Sequence, residues 1–343
     1  MSLVYRFKAN APGVAHVFQD YLGEMAPFVK RVEKPWLKLP MLLLKSIEWG
    51  IYRWHKTPIR RFYGIKSNEL IYMITNACND RCPKCGIWER PEPKSQHLMI
   101  DHFINCLRRL HHNLYQVTLT GGEPLLFKTD VMRIAEEAKR LDVPMVTVTN
   151  ARLLDDTFLR RYKELGHILV ISIDSVGREK WNEFRGRVNF DLVMPRIMLA
   201  KQVLGSQLRI QSVLSKESAP EVPKVAEWCK QHGLQHNIQL YQDFGADNWN
   251  RAVTEKEMTD DGSPCAARKN ICIYPNGDVV KCFDHRRIPL AKEPLGNIAR
   301  QDIIEILCTK RSTEVSKIMK GCNLPCKEMS CNRPQSLLFQ GTQ

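Results

Sequence analysis

Three cysteines within eight residues constrain this chain more than any other feature of its sequence. Cys78, Cys82 and Cys85 follow an apolar run, residues 70–74, that predicts a buried strand. A loop that leaves a strand can fold three thiolates around one point, and thiolates select zinc, copper(I) or iron–sulfur clusters. A structural zinc site uses four protein ligands, usually as two CxxC pairs. Three thiolates instead favour an iron–sulfur cubane with one iron left open, and a zinc knuckle is the alternative.

The chain alternates between strand and helix patterns from about residue 68, which is typical of a parallel α/β sheet or barrel. Six apolar segments are predicted strands: 70–75, 115–120, 144–149, 168–173, 209–214 and 237–241. Helix start and stop signals between them lie at Thr129 or Asp130, Asp155 or Asp156, Gly166, Gly205 and Gly233. Six such units predict a partial (β/α)6 barrel. Barrel chemistry sits at the C-terminal ends of the strands, which is where the cysteine loop falls.

A second motif follows the second predicted strand. It consists of Gly121, Gly122, Glu123 and Pro124. Two adjacent glycines let a ligand approach the backbone closely and leave peptide groups free to bind it. By itself the motif is more often a simple turn, so its weight comes from its position one βα unit after the cysteines.

The two motifs together, in this order, resemble the radical S-adenosylmethionine (radical SAM) enzymes. The resemblance implies that Cys78, Cys82 and Cys85 hold a [4Fe–4S] cluster, whose open iron is chelated by the amino and carboxylate groups of SAM. An electron from the cluster then cleaves SAM to a 5′-deoxyadenosyl radical. The Gly-Gly-Glu-Pro motif is implied to contact the amino group of SAM.

Other residues extend the resemblance, and one departs from it. Ser172 and Asp174 alternate along the fourth predicted strand, so both can point to one side, and they resemble family residues that hold the SAM ribose. Arg185 resembles an arginine that pairs bidentately with the SAM carboxylate. A helix cap and an Arg-Gly turn are the respective alternatives. Many members carry an aromatic residue just before the third cysteine, where this chain has Lys84, and Trp88 is the nearest aromatic substitute.

A second cysteine set occupies the C-terminal part of the chain. Its members are Cys265, Cys272, Cys282, Cys322, Cys326 and Cys331. Pro-Asn-Gly-Asp, between Cys272 and Cys282, predicts a hairpin that brings thiolates together. The set resembles the SPASM/twitch extension of radical SAM enzymes, which implies one auxiliary [4Fe–4S] cluster here. Cys265 and Cys282 are the leading ligands, with two of the other four completing the site; a zinc ribbon is the alternative.

Three further cysteines, Cys106, Cys229 and Cys308, stand alone on helical patterns and are predicted to be buried small hydrophobes. The chain holds 12 cysteines in all. Its N-terminus lacks the apolar core of a cleavable signal. Without secretion, this many cysteines indicates metal binding rather than disulfides. No apolar run is long enough to cross a membrane.

Positive charge is concentrated at the N-terminus. Residues 1–66 hold twelve Lys and Arg against four Asp and Glu, a net +8 of the chain's +14. Apolar residues recur at helical spacing in 40–55, at Leu43, Leu44, Ile47, Ile51 and Trp54. Lys45, Arg53, Lys56, Arg60 and Arg61 are their basic neighbours. Such a helix either lies on an anionic membrane surface or packs on the main domain with its basic side outward.

These features predict three parts: a basic extension with an amphipathic helix (1–66), a radical SAM partial barrel (67–255) and a SPASM/twitch-like auxiliary-cluster domain (256–343). The expected enzyme is cytoplasmic, or peripheral at the inner membrane face. A flavodoxin or ferredoxin reduces it. It abstracts hydrogen from an unactivated carbon of an anionic or lipid-linked small molecule. The alternative substrate is a ribosomally made peptide or protein side chain. A non-catalytic zinc or iron–sulfur protein that binds nucleic acid through its basic arm is disfavoured by the motifs.

Overall fold

The computed structural model describes residues 69–89, 96–186, 190–241, 270–283 and 292–319. All of them belong to a compact unit that begins at Glu69. The predicted N-terminal extension and its amphipathic helix lie outside the described residues, as do Cys265, Cys322, Cys326 and Cys331. The three predicted domain boundaries therefore stay predictions. Within the described residues, no helix is both long and apolar enough to cross a membrane.

Six strands run in parallel and form most of one sheet. They are β1 (Glu69–Met73), β2 (Gln116–Thr120), β3 (Met145–Thr149), β4 (Ile168–Ser172), β5 (Leu208–Leu214) and β6 (Gln235–Leu240). Their order in the sheet follows their order in the chain. The sheet is open and mixed with helices, which confirms the predicted partial-barrel fold class, and each strand lies within two residues of its predicted bounds.

Helices connect the strands and bury one face of the sheet. They are α1 (Gln96–Leu110), α2 (Lys128–Arg140), α3 (Asp156–Leu165), α4 (Arg178–Arg185), α5 (Phe190–Leu204) and α6 (Val222–Gln231). In β2, Val117 and Leu119 are fully buried, whereas alternate positions are partly exposed, as expected when successive side chains point to opposite faces. On the helix side, Tyr72 of β1 stacks on Phe103 of α1 at 4.3 Å.

Four predicted helix signals are confirmed and one is wrong. Gly205 directly follows the end of α5 and Gly233 lies two residues past the end of α6, with φ +57° and +61°. The Asp155 side chain accepts a hydrogen bond from the Phe158 N–H at the start of α3, and Gly166 ends that helix with φ +76°. Thr129 or Asp130 was predicted to cap α2, but the helix begins at Lys128 without a side-chain cap. A 3₁₀ turn, Pro124–Phe127, runs directly into α2 and replaces that cap.

The predicted hairpin continues the same sheet beyond β1. Its strands are β7 (Ile271–Ile273) and β8 (Asp278–Val280), followed by the short β9 (Gly296–Asn297) and helices α7 (Ile303–Leu307) and α8 (Lys310–Ile318). β7 pairs in parallel with β1, while β8 and β9 add antiparallel strands. Cys272 thus lies beside Ile71 of β1. The sequence predicted a hairpin here but not its attachment to the barrel sheet.

Candidate iron–sulfur and cofactor site

The three motif cysteines lie on the loop that leaves the carboxyl end of β1. Cys78, Cys82 and Cys85 are all partly exposed. The Asp80 N–H donates to the Cys78 sulfur at 3.3 Å, and the Cys85 N–H donates to the Cys82 carbonyl at 3.0 Å, which closes a tight turn. Burial raises the pKa of the Cys78 thiol to about 12 and that of Cys82 to about 11. Both are therefore thiols in the metal-free protein, and a bound metal would displace their protons.

The Gly-Gly-Glu-Pro loop after β2 packs directly on this cysteine loop. The Gly122 N–H donates to the Thr75 carbonyl at 2.7 Å, and the Glu123 N–H donates to the Ala77 carbonyl at 2.9 Å. A Cβ atom at position 122 would lie 2.0 Å from the Ala77 oxygen, far inside van der Waals contact. The glycine is thus required by contact between two loops of the protein, whereas the sequence suggested approach of a ligand.

Glu123 links this loop to the end of β3. Its carboxylate is fully buried and accepts hydrogen bonds from the Leu125 N–H (2.9 Å), the Thr149 hydroxyl (2.7 Å) and the Asn150 N–H (2.8 Å). Burial raises the pKa of Glu123 to about 7, against the effect of these donors. Glu123 therefore holds two site loops together, a role that the motif alone did not predict.

A charged clamp fixes the first half of the cysteine loop. Arg152 donates to the Asn79 carbonyl and, at 2.9 Å, to Asp80, whose side chain is 2% exposed. The Asn150 amide donates to the Asn79 side chain at 2.7 Å and approaches the Cys78 sulfur at 3.9 Å. Burial raises the pKa of Asp80, and Arg152 opposes that rise. The clamp ties the loop to the end of β3.

The second half of the loop is held by a buried ionic group. Lys84 Nζ lies 2.6 Å and Arg185 Nη2 lies 2.7 Å from the same Asp174 oxygen, Oδ2. The other oxygen accepts the Val213 N–H at 2.9 Å. Burial acts to raise the pKa of Asp174, but the two cations outweigh it and hold the pKa below its usual value. Burial lowers the pKa of Lys84, and Asp174 opposes that change.

This group engages two residues that the sequence assigned to different ends of SAM. Arg185 and Asp174 bind each other here, and Lys84, where related motifs have an aromatic side chain, joins them. Ser172 ends β4 two residues before Asp174 and is partly exposed. The Trp88 N–H donates to the Cys82 carbonyl at 3.4 Å, and its ring lies under the Arg81 guanidinium at 5.0 Å. Trp88 thus packs on the cysteine loop.

Four buried polar atoms of the clamp and the ionic group make no hydrogen bond among the described residues, and two of them, Lys84 Nζ and Asp174 Oδ2, form an ion pair with each other. The other two are Nε of Arg185, a donor, and Oδ2 of Asp80, an acceptor. Orphaned buried groups are costly and call for a ligand or water. A carboxylate beside Arg185 and an amino group or water beside Asp80 would satisfy them, so the residues present fit an amino acid-like cofactor. No group of three His, Cys, Asp or Glu in the described residues is close enough to share a single metal ion; a cubane has no such need, because each thiolate binds a different iron.

The two described cysteines of the second set lie in different apolar clusters. Cys272 is buried with Met73, Val280 and Phe283, near Cys85, and its sulfur lies 3.6 Å from the Lys281 carbonyl. Cys282 instead packs against a second cluster, formed by Leu295, Val315, Ile318 and Met319. Cys272 and the leading ligand Cys282 therefore contribute to different apolar clusters.

Of the three cysteines predicted to be buried hydrophobes, two are buried and one is exposed. Cys106 on α1 is 3% exposed and Cys229 on α6 is 1% exposed, which confirms the prediction for both. Cys308 is exposed, so that prediction is wrong. Cys308 is the C-cap residue directly after α7, and it lies outside the buried set formed by Ile303, Ile306 and Leu307.

Comparison with known families decides the classification. The profile of the radical SAM superfamily matches residues 72–237, which span all six parallel strands except the ends of β1 and β6. The chain belongs to the radical SAM superfamily. The profile of the SPASM iron–sulfur cluster-binding domain matches residues 265–332 of the same chain. Radical SAM and SPASM assignments, and the expectation of an enzyme that uses SAM and iron–sulfur clusters, are therefore confirmed at the level of the family.

Curated relatives of this radical SAM chain match its barrel. A probable GTP 3′,8-cyclase of Metallosphaera sedula is 27% identical over 184 residues, which cover 52% of this chain and 57% of that protein. The GTP 3′,8-cyclase of Aliarcobacter butzleri is 26% identical over 206 residues, 57% of this chain and 62% of that protein. The chain therefore spans less than two thirds of the length of either relative.

Solved structures share the fold at low identity. SuiB of Streptococcus suis, bound to S-adenosylmethionine, has a TM-score of 0.62 and 14% identity, covering 92% of this chain and 84% of SuiB. The enzyme anSMEcpe, with bound AdoMet and a peptide, has a TM-score of 0.54 and 18% identity, covering 77% of this chain and 86% of that chain. At these identities the likeness shows a common radical SAM fold.

Proposed function

We propose that this chain reductively cleaves SAM at a [4Fe–4S] cluster held by Cys78, Cys82 and Cys85, and abstracts hydrogen from an unactivated carbon of its substrate. One observation carries the proposal: the cysteine loop and the Gly-Gly-Glu-Pro loop meet at the carboxyl edge of the sheet through backbone hydrogen bonds that only a glycine at position 122 permits. Two motifs of separate strands thereby form one site.

The chain's own residues divide the work of binding. The three thiolates hold the cluster, and Gly121 to Pro124 present peptide groups beside it. Arg185, whose Nε has no hydrogen-bond partner among the described residues, offers a charged donor to the SAM carboxylate. Ser172, which is partly exposed, offers a hydroxyl to the ribose, whereas Asp174 would have to exchange Lys84 or Arg185 for it. When bound, the cluster and SAM supply the electron and the 5′-deoxyadenosyl radical that removes hydrogen from the substrate.

For the auxiliary cluster, Cys265 and Cys282 lead the proposed ligands, with Cys322, Cys326 and Cys331 as the candidates to complete it. Cys282 packs against Met319, and Cys322 follows three residues later in the sequence. Cys272 lies in another cluster and is the weakest of the predicted six. The auxiliary cluster would accept an electron from the substrate or anchor it, since cluster potentials span roughly −700 to +450 mV.

The substrate we propose is an anionic or lipid-linked small molecule. The basic N-terminal residues 1–66 carry a net +8, and a positive surface attracts phosphates and anionic lipids. The curated relatives are named for a reaction on GTP, itself an anionic small molecule. The electron donor would be a flavodoxin or ferredoxin, and peripheral contact with a membrane through residues 40–61 would present a lipid-linked substrate.

A second candidate is a maturase that modifies a ribosomally made peptide. The observation that favours it is the fold: SuiB has been solved bound to its precursor peptide SuiA, with a TM-score of 0.59 to this chain. The two candidates differ in what the basic extension does, because a peptide substrate gives it no lipid to bind.

The first experiment counts metal. Anaerobically reconstituted protein is expected to hold about eight irons, in two cubanes, and the triple variant of Cys78, Cys82 and Cys85 to Ala about four. With dithionite and SAM the unmodified protein should release 5′-deoxyadenosine slowly, and the triple variant none. Stoichiometric zinc without visible charge-transfer absorption would contradict the proposal.

Two single variants test the site more finely. Gly122→Ala places a methyl group against the Ala77 oxygen, so it should abolish 5′-deoxyadenosine release, while Gly205→Ala, with open space around its Cβ, should not. Arg185→Ala should weaken SAM binding at unchanged iron content, because it removes a charged donor and no ligand. Unchanged SAM affinity would show that Arg185 has another role.

The substrate class is tested by liposome sedimentation. The full chain should sediment with anionic liposomes at low salt and much less at high salt, because each basic residue near such a surface contributes about 1 kcal/mol and salt screens it. Removal of residues 1–62 should end sedimentation. A full chain that ignores liposomes at every salt concentration would favour the peptide candidate.

A further inference from the structure

Beside the cysteine loop lies a buried group with more positive than negative charge. It consists of Lys84, Arg185 and Asp174, whose side chains are 13%, 9% and 0% exposed. Both cations bind the same oxygen of one carboxylate, at 2.6 and 2.7 Å. Asp80, on the same loop, also attracts Arg185, but its direct ion pair is with Arg152 at 2.9 Å. Two cationic side chains therefore share one carboxylate directly, and positive charge is in excess within the group.

Its position couples this charge to the cluster ligands. Lys84 immediately precedes Cys85 and lies inside the turn closed by the hydrogen bond from the Cys85 N–H to the Cys82 carbonyl. Both cations lie close enough to Cys82 to interact with it electrostatically. Charge that is buried is screened far less than charge at the surface.

Burying an unbalanced cation is costly unless something negative joins it. A cluster held by three thiolates becomes more negative by one unit when it is reduced, so a nearby cation stabilises the reduced form over the oxidised form. Net charge and hydrogen bonds to sulfur are among the features that set cluster potentials. The location and sign of the excess charge both suit that purpose.

We propose that Lys84, which shares the carboxylate of Asp174 with Arg185, is a positioning residue. Its charge raises the reduction potential of the cluster held by Cys78, Cys82 and Cys85. The inference rests on the proposed function and adds a residue to it. Lys84 acts through charge, and the ion pair with Asp174 fixes the position of that charge beside the cysteine loop.

The test is a redox titration of the reconstituted, substrate-free protein. The electron paramagnetic resonance signal of the reduced cluster is measured at each solution potential. Lys84→Met should lower the potential so that the ratio of reduced to oxidised cluster at a fixed solution potential falls at least tenfold, which is about 59 mV for one electron. Lys84→Arg keeps the charge and should keep the potential. Lys180→Met is the matched control, because it removes a lysine that is 50% exposed and paired with Glu183.

Each outcome decides the question. An unchanged potential in Lys84→Met, or an equal fall in Lys84→Arg and Lys180→Met, would overturn the role of Lys84 and leave the proposed function intact. A wild-type protein with no reducible cluster would overturn the proposed function itself. If Lys84→Met does not fold, Lys84→Gln, which is smaller and polar, removes the same charge and should lower the potential in the same direction.

Discussion

The first cysteine loop and the hairpin of β7 and β8 are held by different kinds of side chain. The loop of Cys78, Cys82 and Cys85 is tied down by ion pairs among Asp80, Lys84, Arg152, Asp174 and Arg185, although Cys85 itself packs on the same apolar cluster as Cys272. Cys272 and Cys282 instead lie in apolar clusters, in which Tyr274 and Phe283 also meet edge to face at 5.1 Å. One region is fixed by charge and the other by burial.

The difference between ion pairs and apolar packing determines what each region can do for a bound group. Ion pairs between loops give orientation, because a bidentate or shared contact fixes two groups in one geometry. They also leave the region sensitive to pH and to loss of any one partner. An apolar shell supplies no orientation of that kind, but it lowers the local dielectric, which changes the potential of any cluster beside it. The proposed functions follow the same division, with SAM in the charged region and the auxiliary cluster in the apolar one.

The largest expected effect separates the two cysteines of the apolar region. Cys282→Ala should remove the auxiliary cluster, about four irons, if it is a ligand as proposed. Cys272→Ala should retain all the iron and lower the free energy of unfolding by only about 1 kcal/mol, because it deletes one buried sulfur from an apolar cluster. Iron analysis with denaturant unfolding measures both; loss of iron in Cys272→Ala would place that residue in the auxiliary site.

The charged region should fail when one partner of its clamp is removed. Arg152→Ala leaves the buried Asp80 carboxylate without its ion pair and frees the Asn79 carbonyl. We expect a loss of about 4 kcal/mol in the free energy of unfolding, the usual range for breaking a buried pair. Urea unfolding at pH 7 measures it, and the double variant Arg152→Met, Asp80→Asn should lose less than Arg152→Ala alone. Equal losses would show that the clamp contributes packing rather than charge.

Glu123, which joins the Gly-Gly-Glu-Pro loop to the end of β3, should make the stability of the metal-free protein depend on pH. The pKa of Glu123 is about 7 in the folded protein, above the ordinary 4.5, so its contribution is fully present below pH 4.5 and is lost as pH rises through 7. The loss from Glu123 in the metal-free protein should reach about 3 kcal/mol, and Glu123→Gln should remove that fall. Burial lowers the pKa of His236 from 6.5 to about 4, so a rise in stability between pH 4.5 and 6.5 should remain in the variant. Unfolding midpoints between pH 4.5 and 8 provide the measurement.

Glu137 is the matched control for this slope. Arg140 and Arg108 hold its pKa at about 2, so its contribution is present above pH 4.5 and is lost only as pH falls through 2. Glu137→Gln should therefore leave the curve between pH 4.5 and 8 unchanged. A fall in stability toward pH 7 that survives in Glu123→Gln would mean that a group other than Glu123 loses the proton.

The sequence predicts the strands well because each is a short apolar run between clear turn signals. Their bounds agree within two residues, and the cysteine and glycine motifs fall at the strand ends where they were expected. The start of α2 was missed because a 3₁₀ turn, Pro124–Phe127, supplies it rather than Thr129 or Asp130. Local patterns cannot distinguish two such starts when both leave the apolar face of the helix in place.

The clamp and the ionic group could not be predicted, because their partners lie far apart in the chain. Arg152 meets Asp80 across 72 positions, and Lys84 meets Asp174 from another strand end. Nothing near Lys84 in the sequence indicates a buried lysine, since long charged side chains are almost always exposed. The sequence offered one indirect indication. Many related motifs have an aromatic side chain where this chain has Lys84, and a buried cation at that position requires a counter-charge.

The smallest expected effect concerns Ala151, which lies between the clamp residues Asn150 and Arg152. Ala151 is fully buried and has φ +66°, a left-handed conformation that costs a side-chain-bearing residue about 1–2 kcal/mol. Ala151→Gly relieves that strain, but it adds freedom to the unfolded chain, about 0.4–1 kcal/mol, and removes a buried methyl group. The terms nearly cancel, so the free energy of unfolding should change by less than about 0.5 kcal/mol.

Gly205→Ala is the control for backbone strain. Position 205 has φ +57° and open space around it, so the variant adds the same strain without any contact and should lower the free energy of unfolding by about 1 kcal/mol. A loss above about 2 kcal/mol in Ala151→Gly would show that the methyl group, rather than the backbone turn, holds Asn150 and Arg152 against the cysteine loop.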